Sequence, residues 1–148
     1  MIRAERRAEV VWEGSLIQGH GKIASVGSGA FGEMPITWAS RTERSDGRTS
    51  PEELLAAAHA ACYAMAFSHT LAQAGTPAEQ LDVKATCAFE QVGGGFKVTT
   101  MELDVQGKVP GLDQTAFENV ARQAEENCPV SNALRNNVQI SVKAHLES

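Results

Sequence analysis

The middle of the chain carries the start and stop signals of one long helix, and this helix restricts the folds that the chain can adopt. Ser50 stands at an N-cap position, Pro51 at the first helical position and Glu53 three residues after the cap, which is the pattern of a capping box. The helix is predicted to run to about Ala74, where Gly75 is a typical terminator. A helix of this length rises about 36 Å.

The composition of this helix predicts burial on several sides. Its middle, from Leu54 to Phe67, is apolar nearly all round and rich in small side chains. The stretch contains His59 and is too short to span a bilayer. Because a monomer of 148 residues is too small to bury so long a helix on all sides, we expect a second copy of the chain to pack against its remaining face.

The segments around the helix predict an α+β protein with mainly antiparallel sheets and a single domain over residues 1–148. A polar loop is expected at 41–49 and a hairpin turn at the glycines 93–95. Asp113 is predicted to cap a second helix, and Pro129 to open a short third one. The predicted strands cover residues 4–12, 16–26, 36–40, 82–92, 96–109 and 138–146.

Composition narrows the classes of function. Hydrophobic residues make up 43% and charged residues 21%, which is ordinary for a globular protein. The net charge of −5 argues against a nucleic-acid-binding surface. The first residues have no apolar signal-peptide core, so a cytoplasmic protein without a membrane partner is expected. There is no C-x-x-C motif and no His/Cys cluster with zinc spacing, so neither a metal nor a bound cofactor is expected.

The three cysteines lie in different settings. Cys87 alternates with apolar residues on a predicted strand, and core packing explains it. Cys128 precedes Pro129 at a predicted helix start, where backbone N–H groups and the positive end of the dipole favour a thiolate. Cys62 lies mid-helix, where it has no such help, and a reactive Cys62 needs charged partners from elsewhere.

Two charged residues are candidates for that help. Arg41 is a candidate cation, although it also suits a solvated loop; Glu52 is a candidate carboxylate, although it also suits the first turn of a helix. Glu52 and Cys62 are ten positions apart, about 15 Å along one helix, so they do not touch within a straight helix. They meet only if two copies of the helix pack antiparallel across a two-fold axis, or if the helix bends or starts late.

Two segments, each containing a cysteine, carry a specific pattern. One is TSPEELLAAAHAAC, residues 49–62, and the other is CPVSNAL, residues 128–134. Together they resemble the OsmC/Ohr family of thiol peroxidases. The WEG tripeptide at 12–14 and the VPG turn at 109–111 are also similar to its OsmC branch, osmotically inducible protein C. The resemblance covers nearly the whole chain in the same order.

The resemblance implies an intertwined homodimer with its active sites at the subunit interface. By motif, Cys62 is the peroxidatic cysteine, Cys128 the resolving cysteine and Glu52 the family's carboxylate, while Arg41 matches the arginine of the OsmC branch. The peroxide oxidises Cys62 to a sulfenic acid, which condenses with Cys128 to a disulfide. An external dithiol resets the pair, and the resemblance implies dihydrolipoyl groups, free or on a lipoylated protein. On this assignment, the full positive charge of Arg41 stabilises a thiolate at Cys62 more than the half charge of the helix dipole stabilises one at Cys128.

The neighbours of Cys62 favour an organic hydroperoxide over hydrogen peroxide as the substrate, and hence an antioxidant enzyme of the oxidative stress response. They are small or apolar: Ala58, Ala61, Met65 and Ala66, with Tyr63 and Phe67 nearby. Two other functions stay open. One is a redox-sensing or disulfide-exchange module, and the other is a non-enzymatic dimer that binds apolar ligands and uses its cysteines for packing.

Overall fold

The structure is a computed structural model that describes residues 1–148. The chain forms two compact units, residues 1–51 and residues 52–148. Each unit has its own three-stranded sheet. That the two units make one domain stays a prediction.

The N-terminal unit contains an antiparallel sheet followed by a short helix. Strands β1 (Ala8–Glu13), β2 (His20–Val26) and β3 (Gly32–Ile36) pair in chain order. The second strand starts later than predicted because the chain first turns, with the N–H of Gly19 donating to the carbonyl of Ser15 at 2.8 Å.

The prediction of a strand over residues 36–40 is wrong after Ile36. Strand β3 ends at Ile36, and helix α1 (Trp38–Thr42) follows, so Arg41 is helical and does not lie in a loop. Thr37 and Ser40 cause the change. The Thr37 hydroxyl accepts from the backbone N–H of Ser40, and the Ser40 hydroxyl accepts from the N–H of Thr37, each at 3.0 Å. This reciprocal cap starts a helix where alternation suggested a strand.

The long helix α2 runs from Pro51 to Gln73, as predicted. Its C-terminus is a Schellman motif. The N–H of Thr76 donates to the carbonyl of Leu71 and the N–H of Gly75 to that of Ala72, both at 3.0 Å. Gly75 has φ 83°, the left-handed conformation that this motif requires.

Only one face of α2 is buried within the chain. The buried residues recur every four positions at His59, Tyr63, Phe67 and Leu71, all with no exposed surface. The exposed positions on the other side are Ala57, Ala58, Ala61, Met65 and Ser68. The helix has 23 residues, and an 18-residue stretch of it reaches a mean hydropathy of 1.2, as a membrane-spanning helix also does. Core helices of soluble proteins meet the same criteria, so this is weak evidence for a membrane span.

The second unit has a mixed sheet whose crossover carries two helices. Strands β4 (Gln80–Val92) and β5 (Gly95–Lys108) form the predicted antiparallel hairpin, and β6 (Gln139–Leu146) pairs parallel to β5. Helices α3 (Gln114–Asn127) and α4 (Pro129–Leu134) lie in the connection from β5 to β6. The Asp113 side chain caps α3, as predicted, by accepting from the N–H of Ala116 at 2.8 Å. Three of the four strand pairs are antiparallel, and the α+β prediction is confirmed.

The core of this unit lies between α2, the sheet and α3. The ring of Phe67 contacts Tyr63 at a centroid distance of 5.6 Å and Phe117 at 5.0 Å. The Tyr63 hydroxyl donates to the carbonyl of Ala121 at 2.9 Å, which ties α2 to α3. Gly107 on β5 leaves room for Phe117, since a methyl group there would overlap the ring. The core therefore holds the middle of α2, where Cys62 lies.

Candidate functional site

The structure brings Cys62 and Cys128 together. Cys62 lies on α2, and Cys128 forms the corner between α3 and α4 with φ −74° and ψ 118°. Both are free thiols in side-chain hydrogen-bond contact with each other. Cys62 is half-buried, whereas Cys128 has no exposed surface. Of the two sulfurs, the one on α2 is the one that solvent reaches.

The N-terminus of α4 donates a backbone hydrogen bond to Cys62, whereas the sequence led us to expect it to stabilise Cys128. The backbone N–H of Val130, in the first turn of α4, donates to the Cys62 sulfur. The Cys128 side chain makes no cap hydrogen bond, although its residue occupies the N-cap position. A short helix from a distant part of the chain thus supplies Cys62 with a donor that its own helix lacks.

The surroundings of Cys62 in this unit favour the neutral thiol. Burial raises the pKa of Cys62 above its ordinary value, the Val130 N–H lowers it, and the contact with Cys128 raises it further. Within residues 52–148 no basic side chain contributes to this balance. These neighbours alone therefore do not activate Cys62 as a nucleophile.

A cavity of about 520 Å³ opens beside Cys62. It is lined by Cys62, Met65, Ala66, His69, Thr70, Gln73, Asn127 and Pro129. Tyr63 and Phe67 do not line this pocket, contrary to expectation, because both side chains are buried in the core and have no exposed surface. The wall therefore combines apolar side chains with polar ones.

Glu52 is buried near the start of α2, with 7% of its surface exposed. Helix α2 is continuous from Pro51, so a late start is excluded, and Glu52 lies about 15 Å from Cys62 along the axis. The charge of Glu52 instead reaches Cys87, whose pKa is raised first by burial and then by this carboxylate. Cys87 packs against the core from β4, as predicted.

Arg41 belongs to the N-terminal unit. It lies in the last turn of α1 with its guanidinium carbon 5.8 Å from the centroid of the Trp38 ring, a cation–π contact. A cavity of about 300 Å³ is lined by Arg41 together with Trp12, Leu16, Ile36, Thr37, Trp38, Thr49, Ser50 and Pro51. The arginine is thus half-buried at an apolar cavity and is not a solvated loop charge.

A buried polar pair beside the thiols, His59 and Ser131, was not among the candidate site residues. His59 Nε2 and Ser131 Oγ are 2.7 Å apart, and neither residue has exposed surface. Burial lowers the pKa of His59, so the ring is held neutral. A signal existed in the sequence: each residue stands three positions from a cysteine, His59 before Cys62 and Ser131 after Cys128.

These features define a class: an α+β protein in which a long helix and a helix corner bring two free cysteines together beside an open cavity. Comparison with known proteins gives the family. The family model for OsmC-like proteins matches residues 44–143. Peroxiredoxin OsmC of Escherichia coli (strain K12) is 35% identical over 143 residues, 97% of each chain. The chain belongs to the OsmC family.

Solved structures show the same fold. An organic hydroperoxide resistance protein OsmC from Legionella pneumophila is 26% identical with a TM-score of 0.72, covering 94% of this chain and 96% of that one. The organic hydroperoxide resistance protein OhrB of Bacillus subtilis is also 26% identical, with a TM-score of 0.71 and coverage of 95% and 98%. The fold predicted from sequence is therefore that of the family.

Proposed function

We propose that the thiol-dependent peroxidase activity of this family is carried here by Cys62 and Cys128, with organic hydroperoxides as the preferred substrates and hydrogen peroxide as a poorer one. The contact between the two thiols is the observation that carries the proposal. The names of the relatives, a peroxiredoxin and organic hydroperoxide resistance proteins, support the activity and the substrate class.

The proposed cycle uses the exposure of each sulfur. The Cys62 thiolate attacks one peroxide oxygen, the O–O bond breaks, and the alkoxide leaves and takes a proton to become the alcohol. The Cys62 sulfenic acid then condenses with the Cys128 thiol, which releases water and forms the disulfide. A dithiol of the dihydrolipoyl type, free or on a lipoylated protein, exchanges with the disulfide and leaves as its own cyclic disulfide. The burial of Cys128 protects the resolving thiol from direct oxidation.

Activation of Cys62 is assigned to Arg41, oriented by Glu52. Because burial and Cys128 raise the pKa of the Cys62 thiol, a guanidinium has to reverse the shift for fast attack near neutral pH. The same guanidinium would stabilise the charge on the departing oxygen, and a carboxylate would hold it in a fork-like pair. We place this assembly in a homodimer, where Glu52 of one copy approaches Cys62 of the other.

The exposed face of α2 supports the dimer. Small residues and Met65, whose surface is 69% exposed, form this face, and they would let a second long helix approach closely. The cavity beside Cys62 supports an organic substrate, since Met65 and Ala66 suit an alkyl group. We expect this enzyme to act in the cytoplasm, where dithiol reductants are available.

The test is consumption of cumene hydroperoxide with dihydrolipoamide as the reductant. Wild type should turn over, Cys62→Ser should lose activity, and Cys128→Ser should react once and then accumulate the over-oxidised Cys62. Cys87→Ser is the matched control and should retain turnover. Wild-type activity in Cys62→Ser, or loss of activity on adding a metal chelator, would show the assignment to be wrong. Sedimentation at micromolar concentration tests the dimer, and a monomer would remove the route by which Glu52 reaches the site.

A further inference from the structure

We propose that His59 and Ser131 are positioning residues that hold α4 in register on α2, so that Cys128 meets Cys62. The expected effect on peroxide turnover rests on the proposed peroxidase function. The expected effect on the redox equilibrium of the two thiols does not. Both side chains lie in the interior, and their polar atoms are 2.7 Å apart.

The sequence spacing links the His59–Ser131 contact to the Cys62–Cys128 contact, because both depend on the same alignment of α4 along α2. On α2, His59 precedes Cys62 by three residues; on the α3–α4 corner, Ser131 follows Cys128 by three. The pairs His59–Ser131 and Cys62–Cys128 are therefore two successive contacts of antiparallel segments, about one helical turn apart. A shift of α4 that separates the first pair also separates the second.

The histidine–serine contact does not depend on the oxidation state of sulfur. The hydrogen bond from Val130 to Cys62 and the contact between the thiols both involve the atoms that react. The bond between His59 and Ser131 joins the same two helices without either thiol. It can hold the register while Cys62 carries a sulfenic acid and waits for Cys128.

Ser131 is the hydrogen-bond partner of the His59 ring. Its Nδ1 atom is buried and has no hydrogen-bond partner in the chain, so Nε2 makes the one side-chain contact found for the ring. Burial lowers the pKa of His59, which keeps the ring neutral and avoids a charge in the interior. Loss of the Ser131 hydroxyl would leave both ring nitrogens without partners, a state that buried polar groups avoid.

The other anchor of α4 leads to a different helix. Arg135, just after α4, donates to Glu125 of α3 at 2.9 Å. This ion pair stabilises the α3–α4 corner around Cys128, but it moves with that corner and does not set its register on α2. His59 and Ser131 supply the missing restraint.

The experiment measures the redox equilibrium of the full-length protein with glutathione. The two protein thiols give two electrons and two protons to glutathione disulfide, forming the protein disulfide and two glutathione thiols. Ser131→Ala and His59→Leu should each lower this equilibrium constant about five- to tenfold, the worth of one buried hydrogen bond. His59→Gln keeps a side-chain amide near the position of Nε2, which can hydrogen-bond the Ser131 hydroxyl, and this variant should stay near the wild-type value.

Tyr63→Phe is the matched control, since Tyr63 makes an equally buried hydrogen bond from the same helix, but to Ala121 of α3. It should lower the melting temperature and leave the redox equilibrium unchanged. The double variant His59→Leu/Ser131→Ala replaces both polar partners with apolar groups and should recover folding stability while the equilibrium constant stays low. These two proteins separate positioning from general stability.

Two results overturn the inference: an unchanged equilibrium constant in the folded double variant, or an equal loss in Tyr63→Phe. Peroxide treatment gives a second readout, since Ser131→Ala should accumulate more sulfinic acid on Cys62 than wild type does. A wild-type protein that forms the disulfide with glutathione but consumes no hydroperoxide would refute the proposed function and leave the positioning role of His59 in place.

Discussion

Acidification should destabilise this protein through His59. The ring is fully buried, and burial lowers its pKa below the ordinary value of 6.5. Below pH 6.5 the unfolded chain therefore takes up a proton that the folded chain does not, and stability falls with falling pH until the lowered folded pKa is passed. Above pH 6.5 this contribution is fully present.

The size of the effect follows from one proton. At one pH unit below the unfolded pKa, the loss of stability is at most about 1.4 kcal/mol, the limit for a ring that stays neutral in the folded chain. For a chain of about 150 residues this limit corresponds to a fall of about 3–6 °C in melting temperature. The measurement is thermal unfolding followed by circular dichroism, at matched protein concentration, in buffers one pH unit above and one below the ordinary histidine value.

His59→Gln is the variant that isolates this proton, because glutamine does not titrate and retains a hydrogen-bonding group for Ser131. The wild type should lose more stability on acidification than this variant, by no more than the limit given above. The other three histidines are common to both proteins. His69→Gln, at an exposed position of the same helix, is the control and should behave like the wild type. Equal losses in wild type and His59→Gln would refute the reasoning.

Three further changes have defined outcomes. Arg41→Gln should lower the rate of hydroperoxide attack roughly 100-fold, the scale for losing one donor to a developing oxyanion, as measured by stopped-flow thiol oxidation. Cys128→Ala should lower the pKa of Cys62, because the contact with Cys128 raises that pKa, and alkylation of Cys62 by iodoacetamide should then reach half-maximal rate at a lower pH. Gly107→Ala should cost about 1–3 kcal/mol of stability, measured by urea unfolding, because the added methyl group overlaps the Phe117 ring.

Each of these predictions has a contradicting result. An attack rate unchanged in Arg41→Gln would mean that another group activates Cys62. A higher alkylation midpoint in Cys128→Ala would mean that Cys128 favours the thiolate. Wild-type stability in Gly107→Ala, together with unchanged stability in Gly107→Ser, would mean that the Phe117 ring has room to move.

The long helix could be predicted from sequence because local signals mark both of its ends. Pro51 begins it, and the left-handed Gly75 closes it with hydrogen bonds among neighbouring residues. The hairpin and the capped helix after Asp113 are local in the same sense. The pairing of Cys62 with Cys128 spans a long stretch of chain, and the resemblance to a known family supplied it.

The features that the sequence did not predict depend on tertiary contacts or on competing local ones. The alternation around Trp38 suggested a strand, but the hydroxyls of Thr37 and Ser40 cap a helix there. The donation from Val130 to Cys62 requires α4 to dock on α2, which no spacing within α4 specifies. The orientation of Tyr63 depends on which face of a uniformly apolar helix meets the sheet, and the hydrophobic pattern of α2 is too even to decide it.

The distance in sequence between Cys62 and Cys128 links oxidation to heat stability. A disulfide between them would close a loop of roughly 65 residues. The lost conformational entropy would raise the free energy of the unfolded chain by about 4 kcal/mol. The oxidised protein should therefore melt at a higher temperature than the reduced one. The same free energy opposes reduction of the disulfide in the folded protein. It makes the reduction potential of the pair about 90 mV more negative than in the unfolded chain, which favours a strongly reducing dithiol as the partner. Each turnover would thus pass through a more stable form and return to a less stable one.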